Sequence, residues 1–183
     1  FIMKQILFLI CGLFWIQMAF SQVKLDVDGD VKIRGKIDIL DNTNSVFIGF
    51  NAGILDDGNN STTFIGYRAG SSNTSGQDNT FIGNDAGSFN TVGQENTFVG
   101  ADAGKYSISG IKNTFLGDDA GFDNTIGSNN TFLGESAGGN NTSGDGNTFV
   151  GQNAGVLTTT GYSNVAVGIN TLYNNTSIGN LVA

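Results

Sequence analysis

The chain of 183 residues holds 28 glycines, 14 phenylalanines and one cysteine, has neither histidine nor proline, and carries a formal net charge of −8. Without histidine it lacks the commonest general base and the commonest nitrogen metal ligand, so catalysis would have to rest on carboxylates or lysine. From Ser45 onward only Arg68, Lys105 and Lys112 are basic, which removes the basic footprint that nucleic-acid binding needs.

Met3 and Lys4 precede the apolar run "ILFLICGLFWIQMAF", followed by Ser21 and Gln22. A basic start, a short apolar core and small residues at Ala19 and Ser21 predict a secretory signal peptide over 1–21, cleaved before Gln22. The mature chain is then secreted or held at the cell surface. As a membrane span the run falls short of the ~20 residues required, so no transmembrane segment is expected in the mature chain. Cys11 leaves with the signal, and disulfides play no part.

Residues 22–44 read as a short β-strand segment. In "VKLDVDGDVKIRGKIDIL" (23–40) apolar and polar residues alternate, with Gly29 and Gly35 as breaks, the period of half-buried strands. "DVDGD" approaches a calcium loop, but its glycine comes one residue too early for D-x-D-x-D-G. A tight turn is the expectation.

From Ser45 to the end at 183 one phrase returns every seventeen residues: "SVFIGFNAG", "TTFIGYRAG", "NTFIGNDAG", "NTFVGADAG", "NTFLGDDAG", "NTFLGESAG", "NTFVGQNAG" and "NVAVGINTL". Counting the first residue of each phrase as position one, position three is Phe47, Phe64, Phe81, Phe98, Phe115, Phe132 and Phe149, then Ala166. Position four is Ile48, Ile65, Ile82, Val99, Leu116, Leu133, Val150 and Val167. Position five is glycine throughout: Gly49, Gly66, Gly83, Gly100, Gly117, Gly134, Gly151 and Gly168. Alanine and glycine follow at positions eight and nine in seven of the eight copies, and a further glycine stands at fifteen from Gly76 to Gly161. A fixed short period marks a solenoid, each repeat stacked on the next. So many glycines exclude helix, at roughly 1 kcal/mol each, and fit corners between short strands. The expected fold is all-β, a parallel β-solenoid with 17-residue coils.

Stacking coils at the ~4.8 Å strand spacing turns each position into a column. The asparagines at position one (Asn79 to Asn164) should form an amide ladder along the axis. Positions three and four point to opposite faces of the strand. The first reading puts the aliphatics and alanines inside the coil, the varied positions six, seven and ten to twelve in solvent, and the phenylalanines outside. An exposed phenylalanine column is a patch that soluble monomers avoid, so it predicts association through that face. The other reading is a flatter coil with phenylalanine inside and the aliphatics outside.

The phrases "NTFIG" and "NVAVG" resemble the head repeats of trimeric autotransporter adhesins. They are more similar still to bacterial secreted fibre proteins in which "NTFIGYxAGxxNTTG" repeats pass into "NTAVGYxALYxNTTG" repeats; "NVAVGINTLYNNTS" from Asn164 matches the second kind. The period of seventeen and the phenylalanines depart from the autotransporters. The resemblance implies an extracellular homotrimeric fibre with an adhesin-like role, often followed by a tail-spike-type intramolecular chaperone domain. A host-surface, carbohydrate or matrix partner would go with it. "LVA" at 181–183 occupies the slots of "NVA" at 164–166, so the repeat breaks off in mid-strand and further repeats are expected beyond Ala183.

Two other functions fit parts of the pattern. Threonine columns at position two (Thr63, Thr80, Thr97, Thr114, Thr131, Thr148) and thirteen suggest an ice-binding solenoid, although threonine is also an ordinary strand residue. Asp85, Asp102 and Asp119 stack at position seven, but Arg68 and Ser136 interrupt the column, and solvated corners are expected rather than a metal site. A glycan-cleaving pair needs two carboxylates about 5–10 Å apart in a cleft. No insertion between repeats makes one, so neither catalysis nor a cofactor is expected.

Overall fold

A computed structural model describes residues 44–56 and 59–183. The signal peptide and almost all of the 22–44 strand segment lie outside the described residues. Within them the chain forms eight three-residue strands: β1 (Val46–Ile48), β2 (Thr63–Ile65), β3 (Thr80–Ile82), β4 (Thr97–Val99), β5 (Thr114–Leu116), β6 (Thr131–Leu133), β7 (Thr148–Val150) and β8 (Val165–Val167). They pair in parallel and in chain order as one sheet, each residue opposite the residue seventeen positions on, as in Phe81↔Phe98 and Phe98↔Phe115. An isolated bridge, Val165↔Val182, carries the register on. The architecture is a parallel β-solenoid of 17-residue coils.

Coils are also bonded away from the sheet. At position nine Gly70 N–H donates to Ala86 of the coil above, while at position seven Asp85 N–H donates to Tyr67 of the coil below. Donors pointing both ways knit every corner to its neighbours, which explains why proline, with no N–H, has no place in the sequence.

The interior belongs to phenylalanine. Phe64, Phe81, Phe98, Phe115, Phe132 and Phe149 are fully buried, together with the position-eight alanines from Ala69 to Ala154. Their rings stack with centroids 4.7–5.1 Å apart and planes within 10° of parallel. Each buried ring contributes about 1.5–3 kcal/mol from area and roughly 0.5–1.5 from ring–ring contact. The reading that placed the aliphatics inside is therefore reversed. Ile48, Ile82, Leu116 and Val167 are 55, 36, 49 and 59 % exposed, and the others of that column are half-buried. Position nine supplies the physical reason. A Cβ at Gly104 would lie 2.5 Å from the Phe98 ring, and the same holds from Gly53 to Gly155. The missing side chain is the space the ring fills.

Position five explains itself differently. Its glycines adopt φ between +127° and +146°, and from Gly49 to Gly151 an added Cβ would come within 2.1–2.7 Å of the glycine in the next coil. Backbone passes over backbone there with no room for a side chain.

Two polar columns complete the interior. The expected amide ladder is present: the N–H of Asn96 donates to Asn79 Oδ1 at 3.0 Å, and the pattern repeats through Asn113, Asn130, Asn147 and Asn164 to Leu181. Position twelve, expected in solvent, is a second buried column from Asn73 to Thr158. Both amides close on the glycine carbonyl at position fifteen. Gly127 accepts from Asn113 Nδ2 and Asn124 Nδ2, each at 2.9 Å, using both lone pairs of one oxygen.

This second ladder has a gap. Ser107 is too short to donate to Asn90 Oδ1 as Asn141 does to Asn124 Oδ1, and Asn90 Oδ1 and Ser107 Oγ are buried without partners; one step below, Asn90 Nδ2 and Asn73 Oδ1 are also unpaired. An unsatisfied buried group costs about 1–3 kcal/mol. Ser107→Asn should restore the contact that Asn141 makes with Asn124 at 2.7 Å. It is expected to stabilise the chain by about 1 kcal/mol, read as a higher midpoint in urea with unchanged slope.

Candidate functional site

With phenylalanine inside, the outer face of the sheet carries positions two and four side by side. The threonines of position two, Thr63 to Thr148, are half-buried or exposed. Their hydroxyls make no hydrogen bond to another group among the described residues, whereas Thr74, Thr91, Thr125, Thr142 and Thr159 at position thirteen donate theirs to backbone carbonyls of the next coil. The face thus pairs a row of free hydroxyls with a row of aliphatics, and it carries no charge. Of the residues singled out in the sequence, position three forms the wall behind it, buried from Phe64 to Ala166 with Phe47 exposed at the first coil, and the position-five glycines from Gly66 to Gly168 are half-buried at the corner.

Charge gathers at the position-seven corner. Asp85, Asp102 and Asp119 all hold left-handed backbone, with φ of 51°, 54° and 56°, a conformation Asp and Asn tolerate better than other side chains. Lys105, at position ten, brings its Nζ to 3.1 Å from Asp102 Oδ1 and 3.7 Å from Asp85 Oδ2. Arg68 Nε lies 3.5 Å from Asp85 Oδ1. Burial pulls the Lys105 ammonium down, but the hydrogen bond to Asp102 and the charges of Asp102 and Asp85 outweigh it and hold the group above its usual value. Among the described residues Asp119 has no such cation within ion-pair distance. Burial first, then the carboxylates of Asp118, Asp102 and Glu135, push it above its ordinary value, with Lys105 opposing. Burial alone raises Asp123.

Beside Asp119 lies a notch of about 140 Å³, lined by Asp119, Phe122, Ser136, Gly139, Asn140 and Val156. It opens where Gly139 stands at position ten, which bears side chains in the other described coils. Below it runs an aromatic strip: Phe89 stacks on Tyr106 and Tyr106 meets Phe122 edge-on, both at 5.0 Å between centroids. Sequence reasoning missed the notch. Its one signal was glycine at a position where glycine does not otherwise recur.

Among the described residues no group of three or more Asp, Glu, Cys or His could hold a metal ion, and no helix is long and apolar enough to cross a membrane. No protein family, no curated protein and no solved structure matches the chain.

The Asp119 shift has a consequence for stability. A carboxyl raised in the folded state binds its proton more tightly there than in the unfolded chain. Its contribution is therefore fully present below the unfolded value near 3.8 and is lost as pH rises through the folded one. Asp119→Asn should raise the melting temperature at pH 7 and change it little at pH 3, measured by thermal scans at the two values. Asparagine already occupies this corner in left-handed conformation at Asn51, Asn153 and Asn170.

Proposed function

We propose that this chain is a structural segment of a secreted or cell-surface fibre with an adhesin-like role, built from homotrimers and without catalytic activity of its own. One observation carries the reading: the buried columns bond or stack along the axis, coil upon coil, so the coil is suited to length and to display. Position six illustrates the display surface, changing from Phe50 and Tyr67 through Asn84 and Ala101 to Asp118 and Glu135. The signal-like N-terminus and the repeat resemblance support an extracellular setting. Because each chain fills its own core, association falls to the uncharged face of the sheet, where the aliphatic column offers in-register packing.

A second reading has its own observation. Six outward threonines with hydroxyls free of protein partners, spaced at the strand repeat, form a regular array that suits ordered water or ice. The same face serves both readings, so one set of variants tests them. In the assembly reading the wild type has the mass of a trimer by sedimentation equilibrium, and Ile82→Asp with Leu116→Asp yields folded monomers, since a charge at a buried contact costs several kcal/mol. A monomeric wild type at micromolar concentration contradicts it. Thermal hysteresis in that monomer, abolished by Thr97→Lys with Thr114→Lys, would favour ice binding instead.

A further inference from the structure

The repeat supplies its own template for what belongs in the Gly139 notch. Two coils below, the equivalent residue is Lys105. Its ammonium lies against the position-seven carboxylates of its own coil, Asp102, and of the coil beneath, Asp85, and 5.6 Å from the centroid of the Phe122 ring in the coil above. In the same relation to Gly139 stand Ser136 and Asp119. The carboxylate is there; the lysine is not.

Gly139 is also a glycine that the fold does not demand. Its φ is not in the left-handed region, and an added Cβ would meet no atom closer than 3.3 Å. At position five from Gly49 to Gly151, and at positions nine and fifteen, the same addition collides with backbone, ring or amide. Position ten elsewhere carries Ile54, Ser71, Ser88, Lys105, Phe122, Val156 and Tyr173. Leaving it bare opens space between Phe122 and Val156 and exposes Asp119 to whatever enters.

We propose that this notch binds an alkylammonium group, with Asp119 as its counter-ion, Phe122 and Val156 against its alkyl stem, and Ser136 and Asn140 at its polar rim. The chemistry excludes the alternatives. An anion would meet the Asp119 carboxylate, with the charges of Asp118 and Glu135 nearby adding to the repulsion. A divalent metal would find Asp119 as the one carboxylate lining the notch, where it requires several oxygen ligands. A neutral ligand would bury Asp119 further with no compensating charge, whereas an ammonium restores the pair that Lys105 makes with Asp85. Aromatic contact adds to this, as a cation beside a ring is attracted by its quadrupole. The raised Asp119 is what an unpaired corner carboxylate should show. The inference goes beyond the fibre reading and stands whether or not copies associate.

The test uses the whole chain, titrated with n-butylammonium chloride and followed by carboxyl ¹³C and backbone amide NMR. Saturable shifts are expected at Asp119, Gly139 and Asn140, with the Asp119 titration midpoint moved down; 1-butanol and sodium chloride at equal concentration should produce neither. Asp119→Asn should weaken binding at least tenfold. Gly139→Lys, which copies Lys105, should abolish it by filling the notch from within. Binding of acetyl-Gly-Lys-Gly but not of its Nε-acetylated form would name a protein lysine as the source of the amine. Binding of spermidine but not the peptide would name a free polyamine. The proposal is overturned if butylammonium shifts these signals no more than sodium chloride does, or if Gly139→Lys binds it as well as the wild type.

Discussion

A coil that hydrogen-bonds to its neighbours above and below, at the spacing of β-strands, has to set like residue over like. Any side chain admitted to the interior must tolerate its own copy about 4.8 Å away. Few residues satisfy that condition. A flat ring does, lying on the ring beneath at 4.7–5.1 Å. A primary amide does, because one end donates while the other accepts. Alanine and glycine do by being small. The described coils use these residues inside, with serine and threonine as substitutes in the amide columns and serine also buried at position ten in Ser71 and Ser88, and the ionisable groups stay at or near the surface.

The same constraint governs the polar interior. A buried asparagine leaves expensive groups unless every one is paired. Here the ladder oxygen takes the N–H of the next coil, and the ladder nitrogen closes on the position-fifteen carbonyl. The position-twelve column is less complete: around Ser107 the side-chain atoms of Asn90 and Ser107 Oγ lack partners, and so do Asn73 Oδ1 and Thr158 Oγ1. Charge behaves in the opposite way: stacked carboxylates repel, and the corner holds them only with Arg68 and Lys105 interleaved. Asp119 lies past the end of that supply.

Much of this was legible in the sequence. The period, the parallel strands, the glycine corners and the position-one ladder follow from spacing and residue type alone. Which of positions three and four faces inward did not, because both are apolar and strand parity says only that they differ. The deciding residue is the glycine at position nine, whose role as space for the ring is a relation in three dimensions. Position twelve misled for a related reason: polar residues beside a loop read as solvated. Its restriction to small hydrogen-bonding side chains, from Asp56 through Asn73 and Ser107 to Asn175, was the available sign of burial. The notch was announced by Gly139 alone, and a single glycine among 28 carries no weight until its conformation shows that nothing required it.

The phenylalanine column is the core of each single chain and not the seam between chains, and isotope-filtered NOE spectroscopy on a sample mixing labelled and unlabelled chains distinguishes the two. Uniformly labelled protein should show contacts from the Phe98 ring to the Phe81 and Phe115 rings and to the methyl groups of the buried alanine column. The filtered spectrum of the mixed sample should contain no contact to any of these rings. Strong ring-to-ring NOEs between labelled and unlabelled chains would contradict the account and return the column to an interface.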